Sequence, residues 1–341
     1  MRSLEIARAS LIGIVFVMMF ARDAMALPGE GWTLRMVSGA WSVVGDLQAP
    51  ENISGIASIH ADTFLIGSDD TKVVQGGKID RAKKTLTISD TVKLLGKKDD
   101  DEIDIEAIAA APDEGAFYIT GSHSVTKSGK MNKERRSVFR LRTNKAGDKF
   151  YPKATKRESL KGIIEDDKTL KRYWEKPLQL GGVAIEGLAW RDGKLFFGLR
   201  SPNIDDHAIV LETSSSKFFR KGKQRYKLHR VPLGDGLGIR ELVPLREGFL
   251  IVAGNAGDEP TREHPIPRDF REKRGYFIFF WEPESNRVHQ IAVLARTPGR
   301  PEAVLVLSDT EKEADLLFLF DGSAGGSPWH YRLTKAPRSS G

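Results

Sequence analysis

A pattern of two short apolar segments joined by a turn recurs five times along the chain. In the third copy, Ile185–Ala189 is followed by the turn residues Asp192-Gly193 and then by Lys194–Arg200. Asp113-Glu114-Gly115 and Glu247-Gly248 are turn signals of the same kind, because glycine accepts the positive φ of tight hairpins. Each copy therefore predicts a pair of antiparallel strands. The first segments of the five copies are Ile53–Ala57, Ile105–Ala109, Ile185–Ala189, Arg240–Val243 and Pro301–Leu305.

Two more strand-like segments follow the pairs, as Tyr276–Trp281 and Val288–Leu294 do in the fourth copy. Four antiparallel strands in a repeated unit are typical of a propeller blade. The pattern predicts an all-β chain that forms a β-propeller of five four-stranded blades, or six if the N-terminal segment or part of a basic insertion adds one. Trp32–Gly45 is predicted to complete the last blade, which would otherwise leave an open edge. A β-sandwich or two separate β domains would not explain the repeat.

Positive charge is concentrated in one insertion, at about residues 125–182. The whole chain has a net charge of +7, whereas residues 127–176 hold seventeen Lys or Arg against seven Asp or Glu, a net of +10. Within this stretch, Glu158–Trp174 predicts a surface helix. The insertion is either a solvated excursion or a contact for an acidic polymer, a lipid phosphate, a phosphorylated ligand or an envelope protein. No nucleic-acid-binding motif is present, so nucleic acid is not an expected partner.

The N-terminal residues predict export. Arg2 and Arg8 give a positively charged start before the apolar run Leu11–Ala21, and Ala24-Met25-Ala26 supplies the small residues of a cleavage site. We expect a signal peptide over residues 1–26, one propeller domain over 27–335 and a disordered tail over 336–341. The apolar run is shorter than the roughly 20 residues of a spanning helix, and no later segment is long and apolar enough to span. The absence of cysteine excludes disulfides and thiolate metal sites and favours a bacterial periplasm.

One polar residue opens the first strand of each copy. In a propeller that strand lines the central channel, so four carboxylates are expected to face one axis. Their repulsion needs compensation by a cation such as Ca²⁺, by backbone N–H groups or by arginines such as Arg240. Two interpretations stay open: a Ca²⁺ site, or a structural role in which each acid caps backbone donors of the next blade. The residues at this position are Ser54, Glu106, Glu186, Glu241 and Glu302.

The ends of the second strands differ between the copies and are expected to line one mouth of the channel. A mixture of acids, Asn, His and Arg suits a metal together with an anionic group of a ligand. His123 is the candidate for a hydrogen-bonding residue or a catalytic base, although no second His completes a zinc pair. Lys97–Glu106 lacks the glycine of an EF-hand loop and is interpreted as a solvated turn. The expected ligand-binding residues are His123, Arg200, Arg240, Asn255, Asp258 and Asp321.

Several of these segments resemble a bacterial family catalogued as domain of unknown function 3616. The resemblance runs from about Asp104 to Asp321, and Ser124 and Ser201 stand where the family pattern has glycine. It implies a propeller-like fold and brings no known activity. The segments that carry it are Ile105–Ala107, Gly121–Ser124, Lys127–Arg136, Val138–Leu141, Ile185–Leu188, Gly198–Pro202 and Asp235–Leu242.

A looser likeness is to the gluconolactonase and senescence-marker propellers and to the esterase-like phytase group. In the gluconolactonase group, the glutamate of a Glu-Gly segment on an inner strand is a metal ligand, which corresponds at most to Glu186. This likeness implies Ca²⁺-assisted hydrolysis, in which the metal polarises a carbonyl or phosphoryl oxygen and activates a water.

Three functions follow as alternatives. The first is a periplasmic propeller that binds an anionic ligand, with Ca²⁺, at the channel. The second is a metal-dependent hydrolase of a phosphoester, an ester or a lactone. The third is an envelope scaffold that uses residues 127–176 as its contact.

Overall fold

The computed structural model describes residues 31–38, 41–60, 62–95, 102–126 and 129–335. The predicted signal peptide, with its cleavage after Ala26, and the predicted tail over 336–341 lie outside these residues. Within the described part of the chain, no helix is long and apolar enough to cross a membrane.

Five sheets form the blades of a five-bladed β-propeller, and each blade has four antiparallel strands. In blades 1 to 4 the strands follow chain order from the channel outwards, whereas in blade 5 the N-terminal strand is the outermost one. The inner strands β3, β7, β11, β15 and β19 contact one another in cyclic order. The predicted all-β propeller is confirmed, and it has five blades. Blade 1 contains β3 Ile53–Ala57, β4 Thr63–Ser68, β5 Val73–Asp80 and β6 Thr85–Lys93; blade 2 contains β7 Ile105–Ala111, β8 Ala116–Gly121, β9 Val138–Thr143 and β10 Phe150–Glu158; blade 3 contains β11 Ala184–Arg191, β12 Lys194–Ser201, β13 Ala208–Ser214 and β14 Tyr226–Val231; blade 4 contains β15 Leu237–Leu245, β16 Gly248–Asn255, β17 Tyr276–Glu282 and β18 Arg287–Leu294; blade 5 contains β19 Arg300–Asp309, β20 Glu313–Asp321, β21 Trp329–Lys335 and β1 Trp32–Ser38.

The last blade is closed by the N-terminal strand. β1 pairs antiparallel with β21, with Leu34 opposite Leu333. The Trp32 ring stacks on Phe280 of blade 4 with 4.2 Å between the ring centroids. The prediction that the N-terminal segment completes the last blade is confirmed for β1, while β2 (Ser42–Val44) adds a fifth, parallel strand to blade 1. β1 thus covers the edge of β21 and becomes the outermost strand of blade 5.

The hydrophobic core is divided among the five seams between neighbouring blades. Each seam holds one cluster of buried side chains contributed by the two blades that meet there. Neighbouring blades therefore hold each other in place by apolar packing, because no blade has a core of its own. Each seam contains an aromatic ring that is almost fully shielded from water; such rings belong to Phe64, Phe117, Phe197, Trp281 and Phe318.

The basic stretch is part of the propeller. Residues 127–176 include β9 and β10, the two outer strands of blade 2. After them come α1 (Lys161–Asp166) and a 3-10 turn over Leu170–Tyr173. The prediction of one surface helix is wrong here, because the scattered apolar residues of this segment are buried in the seam between blades 2 and 3. These residues are Leu160, Ile163, Ile164, Leu170 and Trp174.

The remaining helical segments are short. They are α2 Ser215–Phe218 and the 3-10 turns Pro112–Glu114, Leu178–Leu180 and Ala324–Gly326.

Long connections lie on one face of the propeller, where the inner strands begin and the second strands end. We call it the mouth face. Among the described residues it carries 102–104, 122–126, 129–137, 159–183 and 256–275, whereas the opposite face carries mostly short hairpins. Binding residues in rigid scaffolds are commonly found on such connections.

Two of the three predicted turn glycines adopt the expected backbone. Gly115 and Gly193 have φ of +53° and +71°. Gly248 does not, and it is required for another reason: a Cβ there would lie 2.4 Å from the carbonyl oxygen of Trp281 on the next strand.

Gly55 offers a direct test of how tightly the inner strands approach one another. A Cβ at Gly55 would lie 2.9 Å from the backbone nitrogen of Ile108 in the next blade. Since backbone cannot move aside as a side chain can, Gly55→Ala is expected to lower the free energy of unfolding by roughly 1–3 kcal/mol, as overpacking does. Urea unfolding measures this.

The matched control is Gly162→Ala in α1, where nothing lies within 4 Å of the added Cβ. It should be neutral or stabilising by up to about 1 kcal/mol, because alanine favours helix over glycine. Equal losses in both variants would contradict the close approach.

Candidate functional site at the channel mouth

Each inner strand has a β-bulge near its start, and one residue in each bulge has no partner across the ladder. On β11, Ile185 pairs with Leu199 and Gly187 pairs with Gly198, so Glu186 is the extra residue. Bulges of this kind re-aim a side chain and are common beside binding sites. We call the five extra residues the polar ring; they are Ser54, Glu106, Glu186, Arg240 and Glu302.

Glu241 is not a member of the polar ring, contrary to the sequence prediction. The bulge of β15 lies between Ile239 and Glu241, which makes Arg240 the extra residue. The apolar pattern held the signal: Ile239 and Leu242 match Ile185 and Leu188, and aligning these would have placed Arg240 opposite Glu186. Aligning the acids instead shifted the fourth copy by one residue.

The Glu241 carboxyl instead joins blades 4 and 5. The side chain is 3% exposed. Its Oε1 accepts the N–H of Leu242 at 2.7 Å, and the N–H of Val304 in the next blade also bonds to the carboxyl. Burial raises the pKa of Glu241 well above its ordinary range, although these two amides oppose the shift. The structural interpretation of the repeated acids is therefore correct for this one residue.

Arg240 neutralises half of the polar ring. Its Nη1 lies 2.6 Å from Oε1 of Glu302 and 3.0 Å from Oε2 of Glu186, the ring residues of the two neighbouring blades. Arg200 lies 2.8 Å from the other oxygen of Glu186. Although burial opposes the charge, Glu186 and Glu302 raise the pKa of Arg240. Burial raises the pKa of Glu302 to about 7 despite this partner.

The two remaining ring residues are Ser54 and Glu106, and further acids lie around Glu106. Glu106 is partly exposed to the channel and forms no ion pair with any described residue. Burial raises the pKa of Glu106 well above its ordinary range, and the charges of Asp104, Glu186 and Glu302 raise it further. Burial, with Asp70, Asp321 and Asp104 adding repulsion, raises the pKa of Asp69 to about 7.

Salt bridges around the ring connect it to the long connections. Arg135 pairs with Asp104 at 2.9 Å, and burial nevertheless raises the pKa of Asp104. Arg300 pairs with Asp321 at 2.6 Å. Arg200 also donates to the Gly257 carbonyl at 2.9 Å.

Of the residues expected at the mouth, Arg200, Arg240, Asp258 and Asp321 take part in these networks, with Asp258 lying 3.5 Å from Arg200. The Asn255 side-chain amide is committed elsewhere, because it exchanges two hydrogen bonds with the backbone of Arg271.

His123 is part of the scaffold. The ring is fully buried, Nδ1 bonds to the Gly121 carbonyl at 2.9 Å, and Nε2 accepts the Leu160 N–H at 3.3 Å. Burial lowers the pKa of His123 to about 4, so the ring is neutral at physiological pH. Both ring nitrogens are used by backbone groups, which corrects the expectation of a ligand contact or a catalytic base at this residue.

Below the polar ring the channel becomes apolar. Two residues further along each inner strand come Ile56, Ile108, Leu188, Leu242 and Val304, and these five side chains are at most 3% exposed. They border a cavity of about 230 Å³ towards the opposite face, which Trp190 and Glu241 also line. The two ends of the channel thus differ in chemistry, and polar ligands are expected only at the mouth face.

Carboxylates outnumber arginines at the mouth. Among the described residues, no group of three or more His, Asp or Glu side chains is arranged to hold a metal ion. Sequence reasoning missed Asp104 and Arg135, and Asp104 belongs to a run interpreted as a solvated turn. The carboxylates of these networks are Asp69, Asp104, Glu106, Glu186, Asp258, Glu302 and Asp321, and the arginines are Arg135, Arg200, Arg240 and Arg300.

Fold and site together define a five-bladed β-propeller with a mixed glutamate and arginine ring at one channel mouth. The family described as Protein of unknown function (DUF3616) matches residues 52–150 and 142–332. The chain belongs to this family, as its resembling segments implied. A search of curated protein sequences gives no match.

Solved structures with a similar arrangement include proteins of unknown and known function. A protein of unknown function from Bacteroides thetaiotaomicron is 13% identical, with 89% of this chain and 76% of that chain covered and a TM-score of 0.38. One from Dyadobacter fermentans is 11% identical, with 89% and 98% covered and a TM-score of 0.43. Virginiamycin B lyase from Staphylococcus aureus is 12% identical, with 89% and 99% covered and a TM-score of 0.38.

Removal of the Arg240 charge tests the ring. In Arg240→Met, Glu186 and Glu302 lose a buried cation, and the free energy of unfolding should fall by about 3–5 kcal/mol at neutral pH. The folded pKa of Glu302, which burial already raises to about 7, then rises further above its unfolded value. Such groups favour the folded state below the unfolded pKa, and this advantage is lost as pH rises through the folded pKa. The loss should therefore be larger at pH 8 than at pH 5, as urea unfolding would show.

The control is the double variant Arg240→Met/Glu302→Gln, which removes one of the stranded carboxylates and should recover part of the lost stability. A loss that is independent of pH, with no recovery in the double variant, would contradict the proposed charge balance.

Glu106 and Glu241 should respond oppositely to substitution. Glu241→Leu leaves two backbone N–H groups without an acceptor and should cost roughly 2–5 kcal/mol of unfolding free energy. Glu106→Gln removes an acid that no arginine pairs with and should be neutral or stabilising. Thermal unfolding at pH 7.5 separates the two, and similar losses in both variants would show that the acids are equivalent after all.

Proposed function

We propose that the polar mouth binds a ligand and that its acidic half, around Glu106, takes a cationic group of that ligand. The observation that carries the proposal is the asymmetry of the polar ring. Glu186 and Glu302 share Arg240, whereas Glu106 has no ion-pair partner among the described residues. A site usually differs from the repeat that surrounds it, and Glu106 differs from the other two glutamates of the ring in lacking such a pair.

The charge balance supports a cation. A cation near Glu106 would also meet Asp69 and Asp104, whose repulsion it would relieve. An anionic ligand, the expectation from sequence, would meet this excess of carboxylates unless a cation accompanied it. Ca²⁺, which prefers carboxylate oxygens, and an organic amine are the two sources of such a charge. A Ca²⁺ site built from Glu106, Glu186, Glu241 and Glu302 together is not part of the proposal, because Glu241 lies outside the ring.

Hydrolysis is a second candidate, favoured by one observation. Asp69 and Glu302 lie at the same mouth and both have a pKa raised to about 7, chiefly by burial. A carboxyl group that exchanges its proton near neutral pH can act as a general acid or base. Substrates of this reaction would be esters, lactones or phosphoesters, as the sequence suggested.

Export to a bacterial periplasm belongs to the same proposal. It is supported by the N-terminal pattern of charge and apolar residues and by the lack of cysteine. The envelope scaffold stays a prediction from sequence.

The experiment is thermal unfolding of the purified chain with Ca²⁺, with EDTA and with an organic diamine, repeated for Glu106→Gln. A ligand at 100 times its Kd should stabilise the folded state by about 2.7 kcal/mol. The shift in Tm should disappear in Glu106→Gln and persist in Glu311→Gln, an exposed acid in the turn between β19 and β20 on the opposite face.

The pH dependence provides a second readout. Because Glu106 and Asp69 must release protons before they bind a cation, affinity should be higher at pH 8 than at pH 6. A Tm shift that survives Glu106→Gln, or binding that tightens as the pH falls, would refute a cation site at this mouth.

A further inference from the structure

A second charged site lies outside the channel, on the mouth face of blade 2. It is a groove of about 430 Å³ between the connection 129–137 and the segment that joins β10 to α1. Because Arg136 lies at its base, we call it the Arg136 groove. Four basic side chains line it: Lys133, Arg136, Arg157 and Lys161.

Arg136 is a buried cation without a counter-ion. Its residue surface is 5% exposed, and no carboxylate of the described residues forms an ion pair with it. The guanidinium lies 3.9 Å above the ring of Trp174, and Nη2 donates weakly to the Trp174 carbonyl at 3.4 Å. The Nε–H is buried with no acceptor.

Arg136 differs in this respect from three other arginines that are largely buried. Arg135, Arg200 and Arg240, which are also largely buried, each contact at least one carboxylate. Burying a guanidinium costs free energy unless an anion or a full set of acceptors replaces water, and stacking on an aromatic ring replaces only part of it. Burial accordingly lowers the pKa of Arg136, and the charges of Glu175 and Glu165 oppose this shift without cancelling it.

The other basic residues leave the groove positive. Arg157 and Lys133 share one acid, Glu134, at 3.5 Å each. Lys161 makes only an exposed contact of 3.7 Å with Glu165 on its own helix, which screening by solvent weakens. Glu158 is an acid of the lining itself, and it accepts the N–H of Ser159. The lining therefore holds four cations and one acid, with Glu134 beside it.

Hydroxyl donors complete the lining. Ser137 and Ser159 border the groove, and Arg157 Nε donates to Ser137 Oγ at 2.8 Å. A fixed guanidinium, mobile ammonium groups and hydroxyls are the donors that proteins use for phosphate oxygens.

We propose that the Arg136 groove binds the phosphate group of a phosphorylated ligand, with the buried Arg136 guanidinium as its anchor and Lys161 and Lys133 closing over it. The groove is several times larger than a phosphate ion, so the ligand extends beyond its phosphate. A soluble sugar phosphate and a phospholipid headgroup share this chemistry. The site uses none of the polar-ring residues and stands independently of the function proposed for the channel.

The test is titration calorimetry of the full chain with three probes: inorganic phosphate, glucose 6-phosphate and vesicles that contain phosphatidylglycerol. We expect saturable binding of at least one probe, weakened by added salt because the contacts are ionic. Lys161→Gln should weaken it about tenfold, and Arg136→Gln roughly tenfold to a hundredfold, as the loss of a charge-assisted hydrogen bond does.

Lys168→Gln is the matched control, since it removes the same charge from an exposed residue just beyond α1 that does not line the groove. It should bind like the wild type. Arg136→Gln is included only if its thermal unfolding shows a folded protein; Lys161 is exposed, so Lys161→Gln decides the question in either case.

The probes distinguish the sources of phosphate. Binding of glucose 6-phosphate that is lost in Lys161→Gln assigns a soluble ligand, and vesicle binding alone that is lost in the same variant assigns a headgroup. The proposal is overturned if no probe binds at millimolar concentration, or if Lys161→Gln and Lys168→Gln bind equally well.

Discussion

Repulsion between carboxylates at the channel axis is the constraint around which the mouth of this propeller is arranged. Five bulges turn five side chains towards one axis, and three of these side chains are glutamates. Arg240 occupies the fourth position and is shared by the glutamates on either side of it, Glu186 and Glu302. One buried guanidinium within the ring thus permits two buried carboxylates, and Arg200 extends the network to the loop over blade 4.

Among the polar residues near the start of the inner strands, some stabilise the fold and others differ from blade to blade. Glu241 holds neighbouring blades together through backbone amides, and Ser54 does the same through the Ile105 carbonyl. Within the described part of the chain Glu106 has no such contact, and the charges of Asp104, Glu186 and Glu302 add to burial in raising its pKa. A structural role and a binding role, which the repeated acids left as alternatives, are therefore divided between different residues of one pattern. A repeat can place side chains at an axis, but the exceptions to it supply the chemistry.

Long connections on the mouth face add a second chemical surface to the first. The hairpins of the opposite face are short, and the channel there is apolar. On the mouth face, blade 2 carries the Arg136 groove at its outer edge while its inner strand supplies Glu106 to the ring. Blade 2 therefore carries a positive site at its outer edge and a negative site at its inner strand, and the electrostatic potential differs in sign between the two. Buried apolar residues such as Leu160 and Trp174 anchor the segment that follows β10 in the seam between blades 2 and 3.

Local periodicity determined most of the fold: five pairs of apolar segments, their turn glycines and the closing N-terminal strand were all predictable because strands and hairpins follow short-range patterns. Tertiary structure decided the site. A bulge shifts register by one residue, so only the paired ladder distinguishes Arg240 from Glu241 as the ring member. The burial of Arg136 without an ion-paired acid among the described residues, and the use of both nitrogens of His123, likewise depend on residues that are distant in sequence. Packing between blades brings these residues together.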